Sequence, residues 1–142
     1  MSLEKTLYTT SATAIGGRDG RVLSRDKLLD IRLTTPPELG GAGGEGTNPE
    51  QLFAAGYAAC FLNAMKHVAF RNKSPMPADT SLEAVVGIGP NSSGGFSLIV
   101  ELRIQAPSMS REATEALVQQ AHSVCPYSNA TRGNIDVTLT VL

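Results

Sequence analysis

The chain has 142 residues, 42% of them hydrophobic and 18% charged, with 12 Lys and Arg against 13 Asp and Glu for a formal charge of −1. That length suits one domain with its own core, read here as residues 1–142. A near-neutral chain without a basic block lacks the footprint of a nucleic-acid or anionic-membrane binder, and no run approaches the ~20 apolar residues of a bilayer span.

Residues 7–14 are rich in β-formers and predict a first strand, and 16–20 a turn with several positions free to take positive φ. Residues 21–24 and 28–34 continue as strands, the latter alternating over Leu29, Ile31 and Leu33. The stretch 36–46, with two prolines and five glycines, reads as an irregular, mobile connection. Asn48 then caps a helix with Pro49 at its first position and Gln51 placed to complete a capping box. This helix runs to about Arg71 and is apolar nearly all round up to Leu62, which predicts burial on every side. Few strands are available to enclose it, so a second subunit is expected to cover part of it.

Residues 82–89 and 96–104 predict two more strands around a hairpin loop at 90–95. Ser110 caps a second helix in which Ala113, Leu117, Ala121, Val124 and Cys125 form one stripe, and Pro126 stops it. Residues 135–141 predict a last strand. The expected fold is α+β, an antiparallel sheet packed on a long central helix and a second helix.

The N-terminus has no apolar signal core, so a cytoplasmic location is expected, where disulfides are usually transient and catalytic. Two glycosylation-type sequons, at Asn91 and Asn129, are then accidents of composition. Gly41, Gly43 and Gly46 fit G-x-G-x-x-G, but Pro36 and Pro37 separate them from the strand and the helix cap lies elsewhere, which favours a plain loop. His67 lies about 10 Å along the helix from Cys60, and His122 sits at a helix C-terminus where a cation is favoured anyway. Neither makes a metal site, and no bound cofactor is expected.

Two cysteines remain. Cys60 lies inside the apolar helix and Cys125 ends the second one, and neither belongs to a Cys-x-x-Cys element. Brought together they form a dithiol that opens and closes; kept apart they are small core residues. A reactive Cys60 needs a fixed positive charge nearby, because an apolar site alone raises a thiol above its usual ~8.5. Lys66 and Arg71 are nearest in sequence but lie toward the helix C-terminus. Arg18 by itself reads as a solvated turn tip, and Glu50 as a partner of the helix dipole. The residues alone give a candidate dithiol and no assigned cation.

Three segments carry a resemblance: 8–14 leading into Gly16-Gly17-Arg18-Asp19-Gly20, then 47–61 from Thr47-Asn48-Pro49-Glu50 to Ala59-Cys60-Phe61, and 124–134 beginning Val124-Cys125-Pro126-Tyr127-Ser128. On these, over essentially its whole length, the chain resembles the organic hydroperoxide resistance branch of the OsmC thiol-peroxidase family. The resemblance implies an intertwined homodimer with two active sites at its interface. It implies Cys60 as peroxidatic cysteine, Cys125 as resolving cysteine, and Arg18 with Glu50 as the pair that activates Cys60. It also implies organic hydroperoxides, alkyl and lipid-derived, as substrates and a dihydrolipoyl group on a lipoylated carrier protein as external reductant.

Phe53 and Phe61, close to Cys60 in sequence, are expected to supply apolar surroundings for the substrate. In a straight helix Glu50 lies about 15 Å from Cys60 along the axis. Either Gly56 breaks the helix, or Arg18 and Glu50 reach Cys60 from the other subunit, and the second is expected. The rival readings are an OsmC-type peroxidase with other substrate or reductant preferences, a peroxide sensor or lipid-binding module that switches without turnover, and a structural dimer with inert core thiols.

Overall fold

The computed structural model describes residues 2–142 and separates into two compact units, the first ending at Leu52 and the second running from Phe53 to Leu142. In the first, β1 (Ala12–Ile15), β2 (Arg21–Ser24) and β3 (Asp30–Arg32) form an antiparallel sheet in sequential order. The β1–β2 turn closes tightly because residue 20 is glycine: a Cβ there would overlap the Ile15 carbonyl oxygen. The first strand is shorter than the predicted 7–14. Residues 7–11 have strand-forming side chains but no strand neighbour among the described residues, and Leu7 and Tyr8 stand 86% and 78% exposed. The third strand also starts late, because Asp26 accepts from the Leu28 N–H and the Ser24 hydroxyl and holds 24–29 as a turn.

The 36–46 connection is more ordered than predicted. It contains one 3₁₀ turn, Pro37–Leu39, ended by Gly40. The Gly41 N–H then donates to the Pro36 carbonyl at 3.1 Å and Gly43 N–H to the Thr35 carbonyl at 3.0 Å. Backbone bonds replace the freedom that its glycines imply.

Helix α1 (Pro49–Arg71) runs unbroken through Gly56. Its cap is half the expected box: Asn48 Oδ1 accepts the Gln51 N–H at 2.9 Å, while the Gln51 amide turns to the Thr47 hydroxyl at 2.6 Å. One face is buried, through Tyr57, Phe61, Ala64, Met65, Val68 and Ala69. That face packs on Val100, Leu102 and Ile104 from the second unit's sheet and on Leu117, Val118, Ala121 and Cys125. No helix of the described residues is long and apolar enough to cross a membrane.

The second unit's sheet is β4 (Ser81–Pro90), β5 (Phe96–Gln105) and β6 (Val137–Val141), in that order. β4 and β5 form an antiparallel hairpin whose loop is held by Asn91 Oδ1 accepting the Ser93 and Gly95 N–H groups. β6 instead joins β5 in parallel, with Leu102 opposite Leu139. The sheet is therefore mixed where an antiparallel one was predicted, because the helical crossover carries the chain back to the end at which β5 began.

That crossover is α2 (Arg111–Val124) followed by α3 (Pro126–Thr131). Ser110 Oγ accepts from Ala113 N–H, so the predicted cap is present. The buried stripe is Thr114, Leu117, Val118 and Ala121, running on to Cys125. Ala113 and Val124 fall outside it, and Thr114 can enter because its hydroxyl donates to the Ser110 carbonyl at 2.8 Å. Pro126 ends α2 but also starts α3. Proline is well placed at a first helical position, whose N–H is unpaired in any case. Cys125, with extended ψ of 124°, is the hinge residue between the two helices.

Candidate functional site

The second unit brings both thiols together. Cys60 lies on α1, partly buried, and Cys125 is fully buried at the α2–α3 elbow. Their sulfurs are 3.6 Å apart, within S–H···S reach, and both are free thiols. Burial pushes the Cys60 thiol upward; the Tyr127 backbone N–H pulls it down, and contact with Cys125 raises it further. No cation figures among these influences. On its own chain's second unit, then, Cys60 is held as a neutral thiol, which is a poor nucleophile.

The first unit assembles the polar pair. Arg18, on the β1–β2 turn, donates from Nη1 to Glu50 Oε2 at 2.7 Å and from Nη2 to Oε1 at 2.6 Å. Two parallel bonds fix the plane of the guanidinium as well as its position. Glu50 sits in the first turn of α1, where a carboxylate also favours the helix dipole. Each partner stabilises the other's charge: Glu50 raises Arg18, and Arg18 holds Glu50 below the ordinary glutamate value of 4.5. Asp19, beside Arg18, accepts the Thr35 N–H at 2.9 Å and its hydroxyl at 2.8 Å, tying down the turn that presents the guanidinium. The Arg18 turn is thus fastened at both ends of its short reach.

A depressed carboxylate pKa stabilises the fold above its unfolded value, and the gain is lost as pH falls through the folded one. The stability difference between wild type and Glu50→Gln is therefore expected to be full above the ordinary glutamate value of 4.5 and to shrink as pH falls below it through the lowered value of the folded state. Denaturant unfolding of both proteins across that range checks it; a difference that grew in acid would contradict the pairing.

A cavity of about 520 Å³ opens in the second unit, lined by Phe53, Phe96, Leu98, Tyr127, Ala130 and Ile135 among others. Phe53 belongs to this wall. Phe61 does not: it is fully buried in the core, packed beside Tyr57 and His122. Tyr127, not singled out from sequence, touches both features, since its backbone N–H reaches Cys60 while its ring lines the cavity. Gly56 was the available signal. A Cβ there would come within 2.9 Å of the Tyr127 hydroxyl, so this helical glycine marks the place where that ring lies across α1. Among the described residues no group of three or more His, Cys, Asp or Glu is placed to hold a metal ion.

Comparison with known proteins gives a consistent set of relatives. The family model described as OsmC-like protein matches residues 41–140. An organic hydroperoxide resistance protein of Xanthomonas axonopodis pv. citri is 63% identical over 140 residues, covering 99% of this chain and 98% of that protein. The crystal structure of an organic hydroperoxide resistance protein from Legionella pneumophila matches with a TM-score of 0.91 at 52% identity, over 96% of this chain and 98% of that one. The organic hydroperoxide resistance protein OhrB of Bacillus subtilis matches with a TM-score of 0.88 at 45% identity, over 96% and 100%.

Proposed function

The chain belongs to the OsmC-like family and, within it, to the organic hydroperoxide resistance proteins, and on that premise we propose that it is a cysteine-based peroxidase that reduces organic hydroperoxides to alcohols. The observation that carries this reading is the 3.6 Å approach of two free sulfurs from positions 65 residues apart in the chain.

In the proposed cycle the Cys60 thiolate attacks the distal peroxide oxygen. The O–O bond breaks, and the alkoxide leaves as the alcohol after taking a proton. Arg18, held flat by Glu50, stabilises both the thiolate and the charge on the departing oxygen. Cys60 is then a sulfenic acid, and the Cys125 thiol attacks it to form a disulfide with loss of water. An external dithiol reopens the bond by two exchanges and is itself oxidised to a disulfide. A dihydrolipoyl group on a carrier protein is the reductant this reading assigns, acting in a reducing cytoplasm. The apolar cavity beside Tyr127 favours alkyl and lipid hydroperoxides over hydrogen peroxide, since only the former bury apolar surface there.

The cation that Cys60 lacks comes, in this reading, from a second copy of the chain. In a continuous α1, ten residues of helix separate Glu50 from Cys60 in sequence, about 15 Å along the axis. Large apolar side chains also stand bare: Leu7, Tyr8, Ile15 and Leu28 in the first unit, Phe70 and Phe96 in the second. Such a set in a chain with this charge balance fits burial in a homodimer.

The test pairs thiol titration with turnover. One equivalent of cumene hydroperoxide should remove both native thiols, and dihydrolipoamide should then sustain a steady-state rate. Stoichiometric oxidation without a steady state would favour a sensor. Two unreactive thiols would leave only a structural role.

A further inference from the structure

Each thiol has a hydroxyl three residues away along the chain, and those two hydroxyls are bonded to one another. Tyr57 precedes Cys60 by three residues on α1, Ser128 follows Cys125 by three on α3, and Tyr57 Oη lies 2.8 Å from Ser128 Oγ. Both residues are fully buried. Ser128 Oγ also meets His122 Nδ1 at 2.8 Å, from the last turn of α2, and Tyr57 Oη meets Thr131 Oγ1 at 3.1 Å. Arg132 adds a clasp from the end of α3, donating to the His122 carbonyl oxygen and, at 2.7 Å, to Asn129 Oδ1. Three helices are thus joined at one point, one turn from the sulfur pair.

A core needs no such join for its own stability. An apolar cluster of the same volume would fill the space without burying hydroxyls, each of which costs free energy unless paired. What hydroxyls add is direction. Cys125 is the hinge between α2 and α3; its N–H is taken by the Ala121 carbonyl and its carbonyl by the Asn129 N–H. Its backbone therefore follows whatever α3 is fastened to, and α3 is fastened through Ser128 and Thr131 to the helix that carries Cys60. To form a disulfide the sulfurs must close from 3.6 Å to about 2.05 Å, a step that tolerates little drift of the elbow.

Resting on the peroxidase reading above, we propose that the Tyr57–Ser128–His122 hydrogen bonds position Cys125 to capture the Cys60 sulfenic acid. They act on disulfide formation, in which the Cys125 S–H proton leaves with the sulfenic hydroxyl as water, and not on the attack on peroxide. These are positioning residues: none touches substrate or the reacting oxygen.

Single-turnover kinetics separates the two steps. The full-length protein is pre-reduced and mixed with one equivalent of tert-butyl hydroperoxide; peroxide loss reports the first step, and loss of the second thiol reports the disulfide. Ser128→Ala and Tyr57→Phe are each expected to keep the first rate within about twofold while slowing the second about tenfold. Excess peroxide should then drive these variants to Cys60 sulfinic acid, visible by mass, under conditions where wild type stays a disulfide. His122→Ala should behave alike, and His122→Asn, which keeps a polar atom near Nδ1, should recover much of the second rate. If Ser128→Ala does not fold, Tyr57→Phe decides, because it removes one oxygen and little volume. Equal slowing of both steps, or no change in either, overturns the proposal. A wild type that consumes no peroxide overturns the peroxidase reading beneath it, which is a separate and recognisable result.

Discussion

Cys60→Ser is expected to consume no organic hydroperoxide, in a single turnover or in steady state, a loss of at least about 10³-fold. A serine hydroxyl has no accessible anion near neutral pH, and its oxygen cannot be carried through a sulfenic intermediate. Cys125→Ser should separate from it cleanly. Its first turnover should be preserved, because Cys60 and the pair proposed to activate it are intact, but the sulfenic acid then has no neighbouring thiol and advances to sulfinic acid. Stopped-flow peroxide loss with mass analysis of Cys60 distinguishes the two. The order of the outcomes matters more than their size. Were Cys60→Ser to retain turnover while Cys125→Ser lost its first oxidation, the two cysteines would have exchanged roles. That alternative is chemically reasonable, since the sulfurs are equally near one another; exposure argues against it, because Cys60 is partly open whereas Cys125 is fully buried. A peroxide meets Cys60 first.

The start of α1 was legible because its signals are local: Asn48 caps it through one side-chain bond and Pro49 fits the first helical position. Pro126 shows the limit of the same reasoning. Proline ends one helix and opens another by the same two properties, a fixed φ and a missing N–H. Whether α3 follows was decided by Ser128 and Thr131 finding Tyr57 on another helix, a contact that no local window contains. The direction of β6 escaped for a related reason, since strand sense depends on where a crossover of two helices ends. At the site, both sulfurs were visible as residues and neither their separation nor their unequal exposure was. Arg18 and Glu50, each with an ordinary role on its own, became a pair only in space, 32 residues apart. Tyr57 lies in the stretch that reads as apolar nearly all round, yet its hydroxyl is the polar atom that joins α1 to α3.

The largest structural consequence of the proposed cycle is that the activating cation and the sulfur it serves belong to different subunits, and mixing experiments make that visible. Arg18→Ala homodimers are expected to lose about 10²–10³-fold in peroxide reduction, because burial then favours the neutral Cys60 thiol with only the Tyr127 backbone N–H to favour its anion. Cys60→Ser homodimers should be inactive outright. Unfolded together in equal amounts and refolded, the two variants form mixed dimers in which one site combines an intact Cys60 from the first subunit with an intact Arg18 from the second. Random pairing makes about half of the dimers mixed, each with one working site of two, so about a quarter of the wild-type rate should return. If the guanidinium instead served the cysteine of its own chain, mixed dimers would gain no complete site, and the refolded mixture, in which half the Cys60 residues are replaced, would stay at about half the level of Arg18→Ala alone. Raising the pH of the Arg18→Ala protein gives a second readout. The missing charge can be replaced in part by deprotonating the thiol directly, so the deficit should narrow as pH climbs toward the raised pKa of Cys60. A deficit that held constant with pH would mean that Arg18 acts on the leaving alkoxide alone, with no share in making the thiolate.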